Sequence, residues 1–444
     1  MGRLLLNTKD TKALLVFKVL IFVPFVFFVL KDTLGAQQEA PFTYAITGAR
    51  VVPVSAAPID NATVVFANGV ITAVGANVAA PAGAITIAGK GMTVYPGLID
   101  MGSNAGLEPP AIARADNPQT TEDSERVKRD TLMRPHLHAA DHMNPVAASL
   151  ARAAEAGVTA ILATPGSDGI RGHSALVLTS IGADLPQIGS LADDRRSPMI
   201  VRTPVALHVG IADRPAGGDA YPNSLMGIIA FNRQAFLDAQ WYQQSKPRTF
   251  STTLEAMQPA VTGRMPVAFR ASTSRDVLRA LDMARAFKLD PIITAARQVE
   301  DVTADLKAAN ARVIYSMNFP VRRVSLAPDA DESLSVLRDR ATAPKGPAAL
   351  DKAGILFAFE SAGLAETKDF LKNAQKTVAN GLSKDAAIKA LTLNAATIAG
   401  AADRLGSLDK GKIANVIVTD GDLFEEKTTI KHVFVNGRPV TLPR

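Results

Sequence analysis

The side chains best placed by type and spacing to do chemistry lie in the run His136-Leu137-His138-Ala139-Ala140-Asp141-His142. If this segment is helical, His138 and His142, four residues apart, share one face, and His136 and Asp141 are close enough to complete a metal-binding set, for which zinc is the natural ion. The run follows a polar stretch, Asp116–Asp130, rather than the end of a strand, so surface histidines are the competing reading. His173, His208 and His432 stand alone and read as ordinary loop or strand residues. The chain has no cysteine, which excludes disulfides, thiolate metal sites and a cysteine nucleophile. Ser167, Ser174 and Ser361 lack a Gly-x-Ser-x-Gly elbow. The stretch Pro165–Gly172 is glycine-rich but lacks a Gly-Lys-Ser/Thr ending, which favours a flexible loop over a phosphate cradle. Trp241 and Tyr242, in the stretch Phe231–Gln244, read as a helix face packed on the core.

These residues must be carried by two kinds of element. Between Phe42 and Val94, short apolar runs (Thr43–Val54, Ala62–Val74, Ala84–Ile87) are broken by Asn61, Gly69, Gly75, Pro81 and Gly89, the spacing of a small antiparallel β unit. After Pro96 the pattern changes. The helix Ala147–Ala156 leads through Gly157 into the strand Val158–Ala163, and the helix Asp276–Phe287 into the strand Pro291–Thr294. The strands Val267–Phe269, Ile292–Thr294, Val313–Tyr315 and Ile355–Phe359, separated by helices, imply right-handed βα units on a parallel sheet. Roughly 300 residues of such units match a closed (β/α)₈ barrel. A doubly wound open sheet is the second choice, since no glycine-rich dinucleotide fingerprint follows an early strand.

With 444 residues and 47% hydrophobic content, the chain is long enough for a large barrel plus a small accessory domain. The apolar run Ala13–Leu30, with Arg3, Lys9 and Lys12 before it and Leu34-Gly35-Ala36-Gln37 after it, has the order of a secretory signal cleaved after Ala36. Lys18 and Pro24 within the run weaken the alternative of a retained membrane anchor. Residues 1–36 hold five basic and two acidic side chains, so cleavage halves the formal net charge of +6. No basic run marks a nucleic-acid surface. The expected mature protein is periplasmic or secreted, with neither membrane nor nucleic acid as a partner.

Three segments, in order, resemble the amidohydrolase superfamily, particularly its imidazolonepropionase-like and dihydroorotase-like members. They are the N-terminal β unit, the Tyr95-Pro96-Gly97-Leu98-Ile99-Asp100 strand, and the ending that runs from Lys384–Leu391 through Asp403-Arg404-Leu405-Gly406 to the strands Val416–Thr419 and His432–Val435. The resemblance spans about residues 42–444. It implies a TIM-like barrel over 96–407 and a β-sandwich built jointly from 42–95 and 408–444. Asn415 departs from the usual Ala-Asp of that ending, at a structural position.

In that family a His-x-His pair follows the first barrel strand, a bridging Lys or Glu the fourth, single histidines the fifth and sixth, and an aspartate the eighth. Here Gly102 and Asn104 stand at the first pair, Arg270 at the fifth strand and Ala295 or Ala296 at the sixth. Glu360, Ser361 or Ala362 falls at the aspartate position, which leaves Glu360 as the one candidate catalytic carboxylate. A guanidinium cannot ligate a cation, and an amide oxygen is a poor zinc ligand. The family's reaction, hydrolysis of carbon–nitrogen bonds in amides or cyclic amides, needs a metal to activate water and a carboxylate to move its proton. The resemblance therefore implies a catalytically degenerate member without a cofactor, acting as a binding or assembly subunit, as a homodimer or beside an intact homologue. The alternative is an active hydrolase with a rebuilt zinc site drawn from His136, His138 and His142.

Overall fold

In the computed structural model, which describes residues 43–108, 120–166, 169–180, 199–211, 221–247, 249–322, 325–327 and 329–443, the first elements are the three strands β1 (Thr43–Val51), β2 (Ile59–Ala67) and β3 (Val70–Gly75). The expected signal segment 1–36 lies outside the described residues, as does Ser167. β2 and β3 pair antiparallel across Asn68-Gly69, both with positive φ (52° and 79°). This two-residue left-handed turn matches the twist of its strands and divides what the sequence presents as one apolar run from Ala62 to Val74. β4 (Ile85–Ala88) and β5 (Thr93–Pro96) run parallel to β1.

The chain then leaves this sheet through Gly97. A Cβ there would lie 2.1 Å from Thr159 Oγ1, so only glycine lets β6 (Leu98–Ser103) settle against β7 (Val158–Ala163). These two strands are parallel. The next run, β8 (Ile170–His173) and β9 (Ala175–Leu178), is antiparallel to its neighbours and passes from one sheet to another at Ser174. β9 and β10 (Ile200–Arg202) finish a four-stranded sheet in the order β10-β9-β7-β6. β11 (Leu207–Gly210), β12 (Val267–Arg270), β13 (Pro291–Ala296), β14 (Arg312–Ser316) and β15 (Phe357–Glu360) are mutually parallel and form, with β8, a six-stranded sheet. Helices lie between these strands. In Ser274–Phe287, for example, Thr273 caps the N-terminus by accepting from the Asp276 amide, Lys288 closes the far end in the left-handed conformation, and Val277, Ala280, Leu281 and Ala284 are buried.

The last strands, β16 (Val416–Thr419), β17 (Ile430–Val435) and β18 (Arg438–Pro439), return to the first sheet. β16 pairs antiparallel with β5, giving the order β18-β17-β16-β5-β1-β2-β3 with β4 beside β1. Both ends of the described residues thus share one eight-stranded sheet with its own apolar cluster, in which the rings of Tyr44, Phe66 and Phe434 meet at 5.5, 5.0 and 4.9 Å. A second turn, Asn436-Gly437 (φ 52° and 72°), abuts the first, since a Cβ on Gly69 would fall 2.5 Å from Asn436 Oδ1. Asn415 ties this sheet to the start of β6 and to β7: its carbonyl accepts from the Gly97 amide at 2.9 Å and its side-chain amide donates to the Thr159 carbonyl at 3.5 Å, while its side-chain oxygen accepts from the Asn436 amide at 2.8 Å.

Mixed α/β architecture with parallel strands separated by helices agrees with the sequence reading. The larger core lies between these strands and helices and includes Tyr315, Phe236, Phe269, Phe357, Phe359 and Phe370. Tyr242 belongs to the buried face of the helix Leu225–Gln244, whereas Trp241 is 68% exposed. The expected packing of both on one face is corrected, because adjacent helical positions point in different directions.

Candidate binding cleft

The carboxyl ends of β6, β12, β13, β14 and β15 converge on one cavity of about 440 Å³. Strand register sets its walls: Arg270 is paired with Thr294, and Ser316 with Glu360. Gly102, Asn104, Arg270, Ala295 and Glu360, read from the sequence as mouth positions, all line it. Arg171 of β8, His208 of β11 and Arg297, just beyond β13, complete the wall.

Asp100 marks where the first and last parallel strands meet. It is buried and accepts three hydrogen bonds, from the Gly102 amide at 3.1 Å, the Ser361 amide at 2.9 Å and the Ser361 hydroxyl at 2.5 Å. Burial raises its pKa to about 6, against the lowering effect of these bonds. Ser361 belongs to Asp100, and Glu360 faces the cleft.

Glu360 occupies the space that a side chain at 102 would need. A Cβ on Gly102 would stand 2.7 Å from Glu360 Oε2 and 2.9 Å from Glu360 Cβ. Glu360 is 4% exposed. Its pKa is pushed up to about 8, first by burial and then by Asp100, while Arg270, a hydrogen bond from the Ala295 backbone and Arg171 act to lower it. Burial thus favours its protonated form. Ala295 is held at φ +56°, beside a register shift in β13. A non-glycine residue in this conformation is costly, and here it lies where its backbone meets the Glu360 carboxyl.

The histidines are arranged differently from the sequence reading. Ala139–His142 forms one short 3₁₀ turn with His138 at its extended N-terminal flank, so His138 and His142 do not share an α-helical face. His138 instead bridges to β8, its Nδ1 3.4 Å from Nδ1 of His173. Among the described residues, no three His, Asp or Glu side chains come together as a metal-binding group. His173 and His208 are buried, and their pKa values fall to about 4 and about 3, in both cases first through desolvation. His138 then lowers His173 further, while Arg171 and His173 lower His208.

Sequence reasoning overlooked Arg171, His208 and Arg297 at the cleft, and Asp100 as the brace between β6 and β15. The Pro-Gly-Leu-Ile-Asp run carried a signal for Asp100. For His208 the only signal was a four-residue apolar strand, too short to separate from loop. The imidazole positions that the resemblance implies hold no donor here: position 102 has no room for an imidazole, Arg270 is cationic and Ala295 has no ligating side-chain atom. The residues present do not fit a resident divalent ion.

Residues 291–440, from β13 through the returning strands, match the model of the amidohydrolase family. A search of curated protein sequences returns no match. Among solved structures, an amidohydrolase from Thermotoga maritima is similar with a TM-score of 0.72 at 22% identity, covering 90% of this chain and 100% of that one. A putative prolidase from Bifidobacterium longum is similar at 0.52 and 17%, covering 91% and 96%, and the ochratoxinase of A. niger at 0.51 and 16%, covering 91% and 97%. At these identities the structural likeness speaks for the fold. The family match covers the second half of the parallel-strand region and the closing strands, about a third of the chain.

Proposed function

We propose that this chain is an exported amidohydrolase relative that has lost hydrolysis of carbon–nitrogen bonds and serves as a binding or assembly subunit. In this reading the parallel strands and their helices close as a TIM-like (β/α)₈ barrel, 42–95 and 408–444 form a β-sandwich domain beside it, and the cleft works without a cofactor.

The observation that carries the reading is the exchange between positions 102 and 360. Glu360 fills the volume that the family's first imidazole would use, so restoring a ligand at 102 would require a second change. Arg270 adds a positive charge at the same mouth. A guanidinium about 4 Å from a divalent ion opposes it by on the order of 8 kcal/mol at an effective dielectric near 20, and by less where water screens it. An amide such as Asn104 does not offset that repulsion, and one carboxylate at Glu360 would offset only part of it.

Two measurements test the reading. Elemental analysis after loading with zinc or manganese should find no stoichiometric metal, and assays on cyclic imides and acyl amino acids should find no turnover. Stoichiometric metal that vanishes in Glu360→Ala would establish a mouth metal site and defeat the proposal, while metal lost on His138→Ala would move it to the histidines. For export, N-terminal sequencing of protein from the native host should begin at Gln37, whereas an intact Met1 in the membrane fraction would mean a retained anchor.

A further inference from the structure

A second cavity, of about 610 Å³, lies at the amino ends of β11 and β12, whereas the cleft lies at strand carboxyl ends. Three arginines reach it from separate parts of the chain. Arg202 ends β10, Arg264 lies in the turn between the helix Thr252–Val261 and β12, and Arg404 lies between the helix Leu393–Ile398 and β16. Arg202 and Arg404 hold each other's segments in place: Nη1 of Arg202 donates to the Gly400 carbonyl at 2.8 Å, and Nη1 of Arg404 to the Val201 carbonyl at 2.5 Å. The Arg202 guanidinium packs on Gly400, where a Cβ would stand 3.1 Å from its Cζ. Arg264 is tied within its own turn, its Nε donating to Thr262 Oγ1 at 3.0 Å. Each guanidinium thus gives one of its several N–H donors to a neutral oxygen and keeps the rest. Among the described residues none of the three has a carboxylate partner, and Asp403, next to Arg404 in the chain, pairs with none of them.

We propose that this second cavity binds a phosphate monoester, with its terminal oxygens shared among the guanidinium groups of Arg202, Arg264 and Arg404 and its organic body against Pro204, Pro259 and Pro266. Three like charges around one hollow repel one another, and an anion seated among them relieves that repulsion. The direction of the donors selects the kind of anion. A carboxylate offers two oxygens in one plane, which a single guanidinium satisfies, whereas a phosphate monoester carries about two negative charges on three terminal oxygens that point different ways. The volume is in the range of small-molecule sites and larger than inorganic phosphate would fill, and the three prolines give the body of an ester apolar surface to lie on. Because the site lies at the other end of the strands from the cleft, the proposal is independent of whether the cleft hydrolyses anything.

Titration calorimetry on the full chain, with phenyl phosphate as the probe, tests this. Phenyl phosphate should bind saturably at one site, more tightly than inorganic phosphate or benzoate, and its affinity should fall as salt is added. Arg264→Gln removes a side chain anchored only within its own exposed turn, so the protein should fold and bind about tenfold more weakly, the loss of roughly one charge-assisted hydrogen bond. Arg404→Gln should do likewise, and Arg404→Lys should recover part of the loss. Arg270→Gln, in the cleft, should leave the affinity unchanged. Phosphatidylcholine vesicles containing phosphatidic acid present the same monoester on a lipid. Sedimentation of the protein with them would identify a lipid headgroup as the source, and binding of phenyl phosphate without sedimentation a soluble ester. No saturable binding, equal binding of inorganic phosphate or benzoate, unchanged affinity in the folded Arg264→Gln protein, or a loss confined to Arg270→Gln would each overturn the proposal.

Discussion

Gly102 and Glu360 are best regarded as one structural unit, because the absence of a side chain at one position makes room for the buried carboxyl at the other. Gly102→Ala should destabilise the fold by roughly 1–3 kcal/mol, the usual cost of overpacking a filled site. In a Glu360→Ala background the same change should cost less than half as much, so a double-mutant cycle by urea denaturation should show a clear coupling energy. Glu360 also makes stability depend on pH. Its carboxyl titrates at about 8 when folded, against an ordinary value of 4.5, so between those values the folded protein holds a proton that the unfolded chain has released. Stability is fully present below about 4.5 and is lost as pH rises towards 8, with Asp100 acting in the same direction below about 6. Glu360→Gln should therefore be more stable than the wild type at pH 8–9, by on the order of a few kcal/mol, and equally stable near pH 4. At this scale the mouth positions were legible because strand ends are fixed by short motifs. The partners of Glu360 were not, since Arg171 and Asp100 come from strands distant in sequence.

Secondary elements were read well where propensity and packing agree. The helix Lys384–Leu391 and the strand Val416–Thr419 coincide with their expected bounds, and β12 to β15 lie within a residue or two of theirs. The histidine run shows why a spacing rule can fail. Four-residue spacing unites side chains only on an α-turn, and Ala139–His142 takes the tighter 3₁₀ form after Pro135. The apolar run Ala62–Val74 held a stronger local signal that the periodicity hid, the Asn-Gly pair of a hairpin turn. Gly69→Ala should cost roughly 1–3 kcal/mol, because φ is +79° and the new methyl would meet Asn436. Asn436→Ala should relieve part of that cost in thermal melts, and an additive pair would show that the two turns act independently.

At the scale of the whole molecule, Met226, Leu237 and Trp241 fall on one face of the helix Leu225–Gln244, at 81%, 50% and 68% exposure. Apolar side chains grouped in this way are where partners seat. We propose a homodimer or a complex with an intact homologue, burying about 1,600 Å² or more in total if stable. Light scattering of the wild type should give twice the chain mass and Leu237→Asp/Trp241→Asp the single mass, while a monomeric wild type, alone or mixed with an intact relative, would refute assembly. The shared sheet of the two termini has its own consequence for biogenesis. β5 cannot acquire its neighbour β16 until some 320 residues later have been made. A chain in which β5 has not yet met β16 therefore carries its first sheet unfinished, with that strand edge open.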